Sequence, residues 1–387
     1  MNMTTRISLH KAASVSLEKK RSLTSLRGSQ IQQVCGKVKK PPMRKVSFFF
    51  ALLFACTLPL SACGQSPIPD IDYTHTHAYR EWNVIREATC AEKGLQERSC
   101  LCGTKETEDI ESLGHMEREE SGACTYCGKA LGTYSLEGKV IVNFGDSIFG
   151  NYRAPSDISS FLANHTLATV YNVGFGGCRM STHSIAPYDA FGMCRLVDAV
   201  TTGDWHLQDA AIATEVWQGG KPGYFADSLA LLKSINFGEV DIVTIAYGTN
   251  DFASGKRLDR PEDKTDIAVF AGALRYSIEA LREAYPHLQI VLCTPTYRFK
   301  TDETGAFVCD SEEWEINDQK LTDFVQKIKE VADEYGLACV DNYIGSSICY
   351  DNKELCFSGK DGTHPNEVGR QKIAKYMAQE LHRFFGQ

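Results

Sequence analysis

Beyond residue 62 the chain is short of positive charge, with 30 Lys and Arg against 48 Asp and Glu. A body this acidic lacks the basic face that a polyanion needs, which excludes nucleic acid as a partner. Long apolar runs are missing too. The longest, "VSFFFALLFACTLPL" from Val46 to Leu60, contains Pro59 and stops short of the ~20 residues of a membrane span. No H-E-x-x-H and no P-loop occur, so neither zincin nor P-loop chemistry applies. What remains is the composition of a globular protein, 43% hydrophobic and 23% charged, with length for a large domain and a smaller one.

The first 62 residues hold the opposite charge, eleven Lys and Arg against the single acid Glu18. Arg44 and Lys45, the apolar run and then small residues follow the order of a secretory signal. Leu60-Ser61-Ala62-Cys63 resembles the lipobox of bacterial lipoproteins. That resemblance implies cleavage before Cys63, lipidation of Cys63, and an exported protein tethered to the cell-envelope membrane. An uncleaved anchor helix is the alternative, and Pro59 weighs against it. Met43 is an alternative start, and residues 1–62 are set apart from the fold.

Residues 63–135 form a polar, glutamate-rich module with few apolar residues. A Trp, a "TC", an "R-x-C…CG" and a closing "LGH" resemble a small Cys-rich repeat of bacterial surface proteins. Cys100 and Cys102, followed by Cys124 and Cys127, are candidates to hold one structural zinc. Cys90, His75, His77 and His115 are alternative ligands. A disulfide-stapled module is the competing reading in an exported chain, although the five cysteines beyond Cys63 leave one unpaired. Some staple is required, because so small a region buries too little apolar surface.

From residue 136 to 387 the texture changes. "KVIVNF" (139–144), "ATVYNVG" (168–174), "VDIVTIAYG" (240–248), "QIVLCT" (289–294) and "LACVDN" (337–342) read as buried parallel strands. Helical periodicity fills 268–285, 316–335 and the stretch from about Asn366 to the end. The alternation predicts an α/β fold, a three-layer α/β/α sandwich around a five-stranded parallel sheet. Ligands of such sheets bind beyond the carboxyl ends of the strands. Ser147, "NVGFGGCRMS" (172–181) and "GTND" (248–251) stand just after strands, and "DGTHPNE" (361–367) precedes the last helix.

Acyl transfer by a serine needs an activated hydroxyl, a base in the right tautomer and donors for the oxyanion. Ser147 is the candidate nucleophile, His364 the base and Asp361 its orienter. The candidate oxyanion donors are the Ser147 and Gly177 backbone N–H groups and the Asn250 amide. Gly145 precedes Ser147 by two residues but Phe149 follows it by two, so the G-x-S-x-G elbow of the rival hydrolase fold is incomplete. Cys178, beside Gly177, has no dedicated base. Cys349 and Cys356 near the His loop read equally as a disulfide clamp or as free thiols.

"NFGDSIFG", "NVGFGG", "YGTND" and "DGTHPNEVG" together resemble the four blocks of SGNH hydrolases, also called GDSL esterases/lipases. The resemblance spans residues 138–386, with Ile148 where Leu is usual, and it implies the roles just given to Ser147, Gly177, Asn250, Asp361 and His364. It also implies no cofactor for the chemistry. Residues 181–238 do not map onto the family. The expected activity is hydrolysis of an O-acyl ester of a carbohydrate or other polar substrate, acetyl first. Arg179, Trp205, Trp217, Tyr297 and Arg298 are candidate substrate contacts, and for the last four a packed side chain or an exposed loop residue is the equal reading. A lipase or lysophospholipase is the alternative within the class, and a non-enzymatic surface-binding lipoprotein the alternative outside it.

Overall fold

Three short antiparallel strands open the described chain, β1 (Asn83–Arg86), β2 (Gly94–Ser99) and β3 (Lys105–Ile110), paired in that order. They belong to a computed structural model that describes residues 75–386 apart from Val216 and Gln218. The signal and lipobox reading, Cys63 included, lies outside the described residues. Among the described residues no helix is long and apolar enough to cross a membrane.

Five parallel strands then form the central sheet: β4 (Val140–Gly145), β5 (Thr169–Asn172), β6 (Ile242–Ala246), β7 (Gln289–Cys293) and β8 (Ala338–Val340). Their spatial order is β8-β7-β6-β4-β5. Each falls on the apolar run expected of it, β4 extending one residue further to Gly145, because side chains on both sides of the inner strands meet a helix layer. Val142 and Phe144 of β4 face one core, Ile141 the other.

The first layer holds α3 (Met193–Thr202), α5 (Phe225–Ser234), α7 (Phe270–Ala284) and α8 (Leu321–Tyr335). On the other side lie α2 (Ile158–Thr166) and α9 (Glu367–Phe385). This is the three-layer α/β/α arrangement. Phe144, fully buried, is one of its anchors, and truncating such a side chain to Ala costs about 3–5 kcal/mol. The one polar residue in the middle of β4 is satisfied: Asn143 donates to Ser159 Oγ (2.8 Å) and accepts from Thr244 Oγ1 (2.7 Å).

The helical pattern at 316–335 begins as a helix only at Leu321. Asn317 and Asp318 both take left-handed backbone (φ 52° and 58°) and turn Glu315–Ile316 back onto Gln319–Lys320. Asn and Asp tolerate that conformation, so a two-residue hairpin displaces the first helical turn. Residues 181–238 form Ala186–Asp189, α3, α4 (His206–Ala213) and α5.

Candidate active site

Ser147 is the first residue of α1 (Ser147–Gly150), directly after β4. Asp146 caps this turn by accepting from the Ile148 N–H (3.0 Å), which fixes the serine at the sheet's carboxyl edge. Ser147 is 7% exposed. His364 sits on the short strand Asp361–Pro365, which pairs antiparallel with Phe357–Ser358. Pro365 holds the residue before it extended, and the chain turns into α9 only after the Asn366 cap.

These two distant segments meet. His364 Nε2 lies 2.8 Å from Ser147 Oγ, and His364 Nδ1 lies 2.7 Å from Asp361 Oδ2. The other Asp361 oxygen accepts from the backbone N–H groups of Thr363 (2.9 Å) and His364 (3.0 Å). Burial pushes the Asp361 pKa upward, but those two N–H groups and the imidazole outweigh it and hold the carboxyl below its ordinary range. An ionised acceptor on Nδ1 leaves Nε2 with its lone pair toward the serine.

The glycine turn after β5 packs against the same serine. Gly177 takes φ +74°, open to glycine without strain, and Tyr188 covers its outer side. Among the described residues the Ser147 and Gly177 N–H groups find no acceptor, so both are available to a ligand. Asn250 starts from Gly248, whose φ of +126° no side-chain-bearing residue adopts readily, and lies on α6 (Thr249–Ala253). Its amide donates to the Cys178 carbonyl (2.9 Å), which ties the third block to the second.

A fully buried carboxylate fixes this junction. Asp251 accepts from Met180 N–H (2.9 Å), Ser181 N–H (3.0 Å) and Ser181 Oγ (2.6 Å). Burial raises its pKa, and those donors oppose the rise. Cys178 is fully enclosed, and burial pushes its thiol well above the ordinary value, so it is no nucleophile.

Two of the expected substrate contacts, Trp217 and Tyr297, are buried in packing, and a third, Trp205, is half-buried. Trp217 lies in an aromatic cluster with Tyr188, Phe191 and Phe225, and its indole N–H donates to the Thr214 carbonyl (3.2 Å). Tyr297 is 4% exposed and donates to Asp310 Oδ2 (2.9 Å). Trp205 packs against the main core with Lys233 over its ring. The two arginines differ. Arg298, buried over Trp314, donates to Thr363 Oγ1 (2.7 Å), and Asp146 and Asp361 partly offset a burial that lowers its pKa to about 10. Arg179 follows the glycine turn, and both arginines carry a buried Nε with no acceptor among the described residues.

Sequence reasoning missed Tyr224 and Tyr188. Tyr224 Oη accepts from Gly176 N–H (2.8 Å) and donates to Asn151 Oδ1 (2.9 Å), bracing the glycine turn from behind. Both tyrosines come from the stretch without a motif, and only their contacts reveal them.

The cysteines also depart from expectation. Cys100 and Cys102 group with His75 and His77, whereas Cys124 and Cys127 group with Cys90 and His115, so the four do not meet at one ion. The strand register separates them, because Cys100 and Cys102 sit in the β2–β3 turn at the end opposite Cys90. Cys349 and Cys356 are both free thiols, the first exposed and the second buried against Asn352 Oδ1 (3.7 Å).

Residues 144–372 match the model of the GDSL-like lipase/acylhydrolase family. An acetylxylan esterase of Xylanibacter ruminicola is 31% identical over 154 residues, 36% of this chain and 28% of that protein's length. Two solved structures are similar over 64% of the chain. One is Est24, a carbohydrate acetylesterase of Sinorhizobium meliloti (14% identity, all of that chain, TM-score 0.40). The other is a member of the lipolytic G-D-S-L family from Veillonella parvula (15% identity, 99% of that chain, TM-score 0.36).

Proposed function

The chain belongs to the GDSL-like lipase/acylhydrolase family and is a carboxylic ester hydrolase, and from that premise we propose that it removes acetyl groups from carbohydrate hydroxyls through an acyl-enzyme on Ser147. The observation that carries the reading is the unbroken line from Ser147 Oγ through the His364 imidazole to the Asp361 carboxylate, at 2.8 Å and 2.7 Å.

In this reading His364 Nε2 takes the Ser147 proton as Oγ attacks the ester carbonyl. The negative charge that develops on the carbonyl oxygen is met by the Ser147 and Gly177 N–H groups and the Asn250 amide. Collapse expels the sugar alkoxide, which takes the proton back from His364. Water then enters by the same base, and acetate leaves. Asp361 stays ionised throughout and holds the imidazole in one tautomer. His364 relays the protons of Ser147 and of the attacking water, and side chains and backbone supply the oxyanion donors, so this chemistry needs no cofactor.

Acetyl and carbohydrate are supported by the acetylxylan esterase relative, which matches over a minor part of its own length. Arg179, half-buried beside the glycine turn, is the side chain proposed to meet the substrate, and Arg298, buried and bonded to Thr363, is proposed to position the histidine segment. Export with a lipid on Cys63 is proposed from the leader sequence, and a mass shift of the mature N-terminus tests it.

Turnover of p-nitrophenyl acetate, abolished in Ser147→Ala with the melting temperature kept, tests the nucleophile. A Ser147→Ala variant with native turnover overturns it. A series of p-nitrophenyl esters tests the acyl group: rates that fall from acetyl to longer chains support the esterase, and rates that rise with chain length support the lipase alternative.

A further inference from the structure

The antiparallel module ahead of the hydrolase domain is too thin to hold itself together by burial. All four residues of β1 are exposed, Val84 and Ile85 among them, and β3 is exposed at most positions. A three-stranded sheet without a packed face is marginal in water, and small domains compensate with a metal or disulfides. Every cysteine among the described residues is a free thiol.

We propose that the module holds two zinc ions, one bound by His75, His77, Cys100 and Cys102 and the other by Cys90, His115, Cys124 and Cys127. In each group the four ligand atoms lie within 4.8 Å of one another. Tetrahedral zinc, with Zn–S near 2.3 Å and Zn–N near 2.0–2.1 Å, requires ligand atoms roughly 3.3–3.8 Å apart. The observed pairs straddle that spacing: Cys102 Sγ to His77 Nδ1 at 3.3 Å, Cys127 Sγ to His115 Nδ1 at 3.6 Å, and Cys100 Sγ to His75 Nε2 at 3.9 Å.

Local backbone presents each pair. At the first site Cys100 and Cys102 form the β2–β3 turn, closed by Cys100 N–H to Thr104 O and Gly103 N–H to Cys100 O (both 2.9 Å). A bridge between Tyr79 and Cys100 brings the two histidines alongside. At the second site Cys124 and Cys127 lie in a knuckle closed by Gly128 N–H to Cys124 O (2.9 Å). Cys90 comes from the turn after β1, and His115 follows β3.

The donor sets choose the ion. Thiolates and imidazoles suit zinc and are poor ligands for calcium or magnesium, which take oxygen. Four protein ligands leave no position open for water, so both sites are structural. The sites are inequivalent, with two thiolates in the first and three in the second. Three cysteines cannot all be paired in disulfides within the second site, whereas one ion uses all four of its ligands.

The second site also touches the hydrolase domain. Ser121 and Glu120, just before the knuckle, offer their carbonyls to Asn164 Nδ2 (3.2 Å) and His165 Nε2 (2.9 Å) at the end of α2. Ordering that knuckle therefore orders an edge of the catalytic domain.

The test is metal content of the chain, purified without a chelating column and measured by plasma mass spectrometry. Two zinc ions per chain are expected, falling to one in Cys102→Ser, to one in Cys127→Ser and to none in the double variant. Cobalt substitution gives a second readout on the unaltered protein, with thiolate charge-transfer absorption from two sites in a 2:3 ratio. One zinc per chain that either variant abolishes means a single shared site and overturns the assignment. No zinc, with four of the five cysteines protected from alkylation until reduced, means disulfides and overturns it as well.

Discussion

His364 Nε2 and Ser147 Oγ stand 2.8 Å apart although 217 residues separate them in the chain. The contact exists because β4 ends at the same edge of the sheet to which the Asp361–Pro365 strand returns. Asp361 completes the line from only three residues away, with its side chain 49% exposed. Asp361→Asn keeps the shape but gives Nδ1 a neutral partner that can impose the wrong tautomer. The expected result is a fall in kcat on p-nitrophenyl acetate of about 10²–10⁴-fold with KM little changed, water at the exposed carboxylate setting the lower end. A variant with native kcat sinks Asp361 as the orienter.

Gly176→Ala tests whether the glycine turn must lie where it does. An added Cβ would meet Asn151 Oδ1 at 2.6 Å and Tyr224 Oη at 2.7 Å, so the brace behind the turn has to give. Movement there shifts the Gly177 N–H next to it. Loss of one oxyanion donor lowers kcat about 10²–10³-fold, and Gly176→Ala should approach that without loss of the fold. Steady-state kinetics paired with a thermal melt separates this outcome from simple unfolding.

Arg298→Met separates substrate contact from positioning. The guanidinium donates to Thr363 Oγ1, next to His364, and lies near Asp146 and Asp361. If it positions the histidine segment, kcat falls and KM for a small acetate ester stays within about twofold. If it binds the ester, KM rises and kcat is kept. The burial of Arg298 favours the first result, and steady-state kinetics on the same ester decides.

Much of this arrangement is legible in the sequence, for physical reasons that also mark where the sequence falls silent. Strands β4, β6 and β7 announce themselves because both of their faces are covered, which leaves Val/Ile-rich runs. Ser147 and Asn250 follow such runs directly, and Asp361 reaches His364 across one turn. Tyr188 and Tyr224 were invisible because they meet the glycine turn from a region without periodicity or motif. Trp217 and Tyr297 stayed open between two readings because composition does not distinguish an aromatic at a rim from one in a core. With Cys100, Cys102, Cys124 and Cys127, spacing revealed the kind of ligand but not the grouping, which the pairing of β1 to β3 decides.

Asp146 supplies a pH test independent of the other variants. It is fully buried, and desolvation, opposed by the Ile148 N–H and by His364, pushes its pKa up to about 6 from an ordinary 3.8. A carboxyl whose folded pKa is raised binds its proton more tightly in the native state. Stability therefore declines as pH rises from about 4 to about 6, and the full cost, on the order of 3 kcal/mol, is present above that window. Asn at this position can still cap α1 through its side-chain oxygen and carries no charge to bury. Asp146→Asn should thus melt higher than the native chain at pH 8 and together with it at pH 4. Equal melting temperatures at pH 8 would mean that the ionised carboxylate is stabilised in place, by the Ile148 N–H and the Arg298 charge, and that burial does not govern this residue.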